Sequence, residues 1–414
     1  MSLIRPFAAL RPTPEHADDV VAPPYDVLSV REARQRANGR PWSFLHISRP
    51  EIDLPENTDP YDPAVYAKGA ENLDRMIDAN VLMRDPDAYY YVYRLTMGAH
   101  VQTGLVAVAS VPDYDINRIR KHEFTRPVKE DDRVRQIEAL QAQTGPVFLV
   151  YPEAAQIDAI LARTAAGRPE YDVTADDGVR HQIWVLRNAD AIAAITAGFD
   201  AMDAIYIADG HHRSAAASRV YHATCSGSDE CHTGNESAGY FLSVIFPHHE
   251  MQILDYNRVI TDLHGLDGES FLARIAERFD IESVDGACKP TKHAEFGMYL
   301  GGSWYRLTLR AEHIPGDDPV ASLDVSLLQN NLIDPILAIE DPRRDKRIDF
   351  VGGIRGLGEL EKRVDSGEMA VAFALYPTTM EALMAVADAN EVMPPKSTWF
   401  EPKLADGLLS HMLD

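Results

Sequence analysis

The stretch at 205–220, IYIADGHHRSAAASRV, places an acid, two imidazoles and a guanidinium on one short turn: Asp209, Gly210, His211, His212 and Arg213. Residues 205–208 read as a buried strand, and the small residues from Ser214 to Ala217 read as a helix. A strand that stops at a glycine and opens a helix leaves the first backbone N–H groups unpaired, at the positive end of the helix dipole. Such an end binds phosphate. His212 and Arg213 add side-chain donors, and an arginine grips phosphate with two parallel hydrogen bonds. Two other readings stand beside this one. In the first, Asp209 is a helix cap and the cations are a solvated first turn. Helix N-termini prefer acids, however, so a His-His-Arg run there costs stability unless an anion is bound. In the second, the two histidines hold a metal. Adjacent histidines point in different directions on a helix, and Arg213 repels a cation.

Phosphoryl transfer would also need a base. Glu123 in RKHEFT follows a strand and precedes a helix, upstream of the turn. Asp209 is the alternative base. Arg120, Lys121 and His122 flank Glu123 and would keep it ionised; Arg126 and Arg133 follow. They are candidates for the anion site or a solvated basic loop, with Lys121 and His122 as candidate substrate contacts. The densest basic run is DPRRDKR, with Arg343, Arg344, Lys346 and Arg347. MPPKSTWF sets Lys396 and Ser397 behind two prolines, and rigid polar loops tend to serve sites. Arg343, Lys396 and Ser397 are candidate substrate contacts, against surface charge and a C-terminal clamp. VAPPYDV holds Tyr25 and Asp26 on a stiff segment that lines an acceptor pocket or simply wraps. FVGGIRGLGEL is not a P-loop and reads as a tight turn. HATCSGSDECHTG, with His222, Cys225, Cys231 and His232, fits no established zinc spacing. No metal-ligand set is expected on the protein.

The elements that must position these residues form a mixed pattern. Residues 1–60 are proline-rich, which predicts extended, wrapping chain. DPAVYAKGAENLDRMIDANVL is an amphipathic helix. AYYYVYRLTM and HVQTGLVAVASVP predict a hairpin about Gly98. Strands and helices then alternate to the 205–208 strand, expected at the centre of a sheet with the 211–224 helix against it. YFLSVIFPHHEMQILDYNRVI reads as another hairpin. Beyond about 261 a second alternating series follows. The fold class is α/β (α+β), with mixed sheets and flanking helices. Boundaries near 85 and 260 divide the chain into a wrapping segment (1–85), a phosphate-binding core (86–260) and an α/β C-terminal domain (261–414).

The whole-chain numbers limit the partners. The 414 residues exceed one compact core, and 40 cations against 64 acids leave a net charge of −24. So acidic a chain is poorly suited to nucleic acid or an anionic membrane, which leaves a small-molecule substrate in a local basic pocket. Three cysteines argue against a disulfide framework, and neither a signal-peptide core nor an 18-residue apolar span is visible. A cytoplasmic protein is the expectation; a homodimer is compatible with these features.

Several blocks carry a resemblance. RPFAALRP, VAPPYDV, KHEFTRPVKEDDR, IADGHHRSAAA, RIDFVGG and the long run from AVAFALYP to WFEPKL resemble the bacterial and archaeal domain-of-unknown-function 1015 family, from residue 4 to about 410. Strand, DGHHR and helix together look like the phosphate loop of the ParB/sulfiredoxin superfamily, and most closely that of its free-serine kinases. That resemblance implies a ParB/sulfiredoxin-like core and phosphate held by Gly210, His211, His212 and Arg213. It also implies Glu123 as base, and transfer to a free hydroxyl amino acid, L-serine to O-phosphoserine. The donor would be ATP, ADP or pyrophosphate with Mg²⁺, which bridges donor oxygens and leaves little trace in a sequence. The alternative is a nucleotide- or phosphate-sensing regulator that binds without turnover.

Overall fold

The computed structural model describes residues 2–225 and 236–414. It divides into two compact units, one of residues 1–251 with 402–414, the other of residues 252–401. This grouping differs from the three-part reading. The proline-rich segment is no separate part, and the chain's last residues return to the first unit. The reason lies in backbone pairing: Leu10 and Ala22 bridge to Ser410 and Asp406, and His411–Met412 pair with Ala142–Gln143.

The first unit is built on a nine-stranded mixed sheet. Its strands are β1 (Ile4–Arg5), β2 (Tyr90–Met97), β3 (His100–Ser110), β4 (Ile119–Arg120), β5 (Val147–Tyr151), β6 (Tyr171–Thr174), β7 (Arg180–Leu186), β8 (Ile205–Asp209) and β9 (Tyr240–Pro247). They lie in the order β4-β8-β5-β9-β3-β2-β7-β6, with β1 also on β3. β4–β8 and β5–β9 run parallel and the other pairs antiparallel. The β2–β3 hairpin closes at Gly98, whose φ of 60° suits a residue without Cβ. β8 is therefore second from one edge rather than central, because only two-residue β4 pairs outside it. That position leaves its C-terminal end close to the loop leaving β4.

Helix α1 (Pro63–Asp78) packs on α2 (Pro127–Leu140), which packs on α3 (His211–Cys225). The α2–α3 contact is apolar, through Ile137, Ala216 and Val220. Pro63 and Pro127 sit in first turns, where no N–H is needed. The sheet's main cluster runs from Leu3 and Ile4 through Leu105, Leu149 and Ile207 to Phe199 and Tyr221. A second cluster, including Leu10, Val20, Phe44, Leu73 and Met76, buries the wrapping segment.

The expected hairpin over residues 240–260 does not form. β9 lies inside the first unit's sheet, between β5 and β3, and β10 (Tyr256–Ile260) belongs to the second unit. The histidine-rich residues between them form a short turn, with His248 Nδ1 accepting from Glu153 N–H at 3.2 Å. The second unit is a six-stranded antiparallel sheet. Its other strands are β11 (Phe279–Val284), β12 (Glu295–Leu300), β13 (Ser303–Leu309), β14 (Ile348–Gly352) and β15 (Val371–Leu375). The order is β11-β13-β12-β15-β10-β14. Among the described residues no helix is long and apolar enough to cross a membrane.

Candidate active site

The 209–213 turn is shaped by three local devices. First, the β8–β5 register slips between Ile207 and Asp209, a bulge that re-aims the acid at the strand end. Second, Gly210 has φ 99°, and a Cβ there would lie 3.0 Å from Arg213 Nε, so both backbone and space call for glycine. Third, the Gly210 carbonyl accepts from Arg213 and Ser214 N–H at 2.9 and 3.0 Å, which starts α3. Ser214, Ala216 and Ala217 are fully buried, so the helix start lies close against the fold.

The charges on the turn are shared out within the first unit. Arg213 Nη2 pairs with Asp209 Oδ2 at 3.0 Å, and Nη1 donates to the Pro146 carbonyl. Burial alone would raise the Asp209 carboxyl, but Lys403, Arg213 and His211 outweigh it and hold the carboxyl below its usual value. Asp209 is thus a committed anion. A general base must take up a proton, which disfavours it against Glu123.

Glu123 stands beside the turn. Its Oε2 lies 3.7 Å from His211 Nδ1, and its side chain is 54% exposed. His211 Nε2 accepts the His122 N–H at 3.4 Å, which places the imidazole proton on Nδ1, facing Glu123. Burial first, then the proximity of His122, pushes His211 well below the ordinary histidine range, so it stays neutral. His122 is buried as well, its ring edge-on to His211 at 4.5 Å, and burial lowers it to about 4. His212 Nε2 accepts from Arg126 N–H at 3.0 Å, tying the loop after β4 to α3.

Of the residues flanking Glu123, Lys121 turns away from it. Lys121 Nζ donates to the Tyr114 carbonyl at 3.0 Å and lies 3.8 Å from that ring's centroid. Arg120 lies over Tyr206. His122 is neutral by burial, so neither it nor Lys121 presents a charge to a substrate at Glu123. Arg343, Lys396 and Ser397 belong to the second unit and are engaged there. Arg343 forks onto Asp341 at 2.8 and 3.0 Å. Lys396 takes φ 61°, its carbonyl accepts from Arg258, and its Nζ lies over Tyr256. Ser397 Oγ donates to the Pro394 carbonyl at 2.6 Å. Gly356, with φ 70°, makes the turn expected in FVGGIRGLGEL. His222 pairs with Asp115, while Cys231 and His232 lie outside the described residues.

A small cleft has Arg213 in its lining, together with Tyr25, Ser48, Arg133, Thr144 and Asp406 among others. Tyr25 was legible in the sequence as a candidate pocket residue, and Arg133 only as one of several cations. Ser48 and Asp406 were not foreseen. The usable signal for Asp406 is its setting in LADGLL, an acid inside an apolar run near the chain end.

Residues 4–326 match the family described as Protein of unknown function (DUF1015). The chain belongs to that family. No curated protein matches it in sequence. Solved structures similar to this DUF1015 chain include free serine kinase in complex with AMP, at 11% identity and TM-score 0.34, covering 71% of this chain and 86% of that one. A variant of free serine kinase in complex with ADP is 13% identical, with TM-score 0.34 and coverage of 73% and 88%. A conserved hypothetical protein from Pyrococcus furiosus is 13% identical, with TM-score 0.33 and coverage of 73% and 94%. Similarity this low leaves the chemistry of the DUF1015 chain to its own residues.

Proposed function

We propose that this protein is a small-molecule kinase that phosphorylates the hydroxyl of a free amino acid, with L-serine as the first candidate. The observation that carries the reading is the 3.7 Å approach of the Glu123 carboxylate to His211, the first residue of a helix whose N-terminus is built for an anion. Base and cradle stand side by side, as phosphoryl transfer requires. Arg213 and the first N–H groups of α3 hold the phosphoryl oxygens. Glu123 accepts the acceptor's hydroxyl proton as that oxygen bonds to phosphorus and the bond to the donor's bridging oxygen breaks. His211, neutral with its proton on Nδ1, orients Glu123. Among the described residues there is no group of three or more metal-ligating side chains. Mg²⁺ carried on the donor phosphates would supply charge neutralisation.

The test is a screen of ATP, ADP and pyrophosphate against hydroxyl amino acids, read by ³¹P NMR. O-phosphoserine is the expected product. Donor binding without transfer to any hydroxyl amino acid would overturn the kinase and leave a phosphate-sensing protein.

A further inference from the structure

The cleft beside Arg213 contains more polar chemistry than its lining needs for folding. Ser48 is 5% exposed, and its Oγ is buried with no hydrogen-bond partner. A buried hydroxyl in that state favours any ligand that bonds it. Asp406 is 3% exposed, held in place by reciprocal backbone bonds with Ala22 at 2.9 and 3.1 Å. Its Oδ1 lies within about 7 Å of Arg213 Cδ, since a Cβ on Gly145 would fall 3.4 Å from Arg213 Cδ and 3.8 Å from Asp406 Oδ1. Arg133 stacks 4.0 Å over the Tyr25 ring and gives Nε and Nη2 to Asp132, which leaves Nη1 for another acceptor. Acid, cation and unpaired hydroxyl thus line one small cleft, and Arg213 joins it to the 209–213 turn.

We propose that this cleft is a pocket for a compact zwitterion, an α-amino acid, with Asp406 taking the ammonium group, Arg133 the carboxylate and Ser48 a further hydrogen bond. The choice of a hydroxyl amino acid as occupant rests on the kinase reading; the recognition of the amino and carboxylate groups does not. An anion alone would leave Asp406 as a repulsive neighbour. A cation alone would meet Arg133 and Arg213 unopposed.

The electrostatics add a signature. Burial pushes the Asp406 carboxyl up to about 7, against Arg213, Arg133 and the Tyr25 backbone and with help from Asp26. An ammonium group against it favours the ionised form, so binding near pH 7 releases protons.

Calorimetry on the wild-type chain tests this with L-serine, glycerate (no amine), ethanolamine (no carboxylate) and inorganic phosphate. L-Serine is expected to bind at least tenfold more tightly than glycerate or ethanolamine, with proton release seen as a heat that depends on the buffer. Asp406→Asn is expected to weaken L-serine by about ten- to a hundredfold, as for a lost charged hydrogen bond, to strengthen glycerate by removing a like charge, and to abolish the proton release. Glycerate or phosphate binding the cleft as tightly as L-serine would overturn the proposal, and this arm needs no variant. Asp406→Asn with an unchanged KM for serine in a working kinase would overturn the pocket and spare the kinase. Amine-dependent binding with no phosphoryl transfer would do the reverse.

Discussion

The turn at residues 209–213 and the basic run at residues 341–347 hold the same kinds of side chain in opposite settings. In the run, Arg343, Arg344 and Arg347 are matched by acids two or three residues away, Asp341 and Asp345. Arg343 and Arg344 are 65% and 87% exposed. The Arg343 and Arg344 charges are closed locally and remain in water, while Arg347 also reaches the Leu337 and Ala338 carbonyls and Asp262. At the turn Arg213 is 11% exposed; besides the local Asp209, the groups around the turn come from Pro146, Glu123, Lys403 and Asp406, far away in the chain. Charge density along a sequence is therefore a poor guide to a site. Surface pairs with local partners are worth little, whereas buried groups gathered from distant segments interact strongly.

The largest expected contrast is catalytic. Glu123→Gln should keep donor binding and lose turnover by about 10²–10⁴, the usual worth of a general base. Steady-state kinetics with a serine acceptor reads it, and activity near the wild-type level would remove Glu123 as base. Arg213→Ala should weaken phosphate or donor binding by about 10- to 100-fold, from one lost charged hydrogen bond. Arg343→Ala serves as its counterpart from the other region, and equal losses in both titrations would erase the distinction drawn here.

Acid should also separate the regions. His122 binds its proton in the unfolded chain near pH 6.5 but in the fold only near 4, so the unfolded state holds more protons between those values. The stability this group contributes is present above 6.5 and lost as pH falls towards 4. His122→Asn should flatten that part of the denaturation profile, measured as urea midpoints across pH. A profile as steep as the wild type's would show that other groups dominate.

Gly210→Ala comes next. Its φ of 99° and the 3.0 Å approach to Arg213 should together cost about 1–3 kcal/mol, seen in chemical denaturation. Smallest is the stability effect of Arg343→Ala, whose denaturation midpoint is expected to match the wild type's, as for an exposed pair.

Much of the local structure could be read without coordinates. The β2–β3 hairpin about Gly98, α1, the strand–glycine–helix at 205–225 and the alternating second half all follow from periodicity and turn chemistry, which act within a few residues. The 240–260 hairpin failed for the same reason. Two apolar strands joined by a turn look alike whether they pair with each other or enter separate sheets, and only long-range pairing separates β9 from β10. At the site, the settings of two neighbours of Glu123 were not legible, because sequence proximity does not fix contact. Lys121 turns to Tyr114, and His122 is neutralised by burial.

What the sequence by itself determined is the chemistry of the turn: a strand that stops at a glycine and a helix start carrying His-His-Arg. These depend on covalent geometry and hydrogen bonds between near neighbours. Only the tertiary structure decided that Glu123 meets His211, that Asp209 is held as an anion, and that Asp406 returns from the chain's end to stand beside Arg213. Those facts depend on which distant segments exclude water together, and desolvation and charge act through space, whatever the separation along the chain.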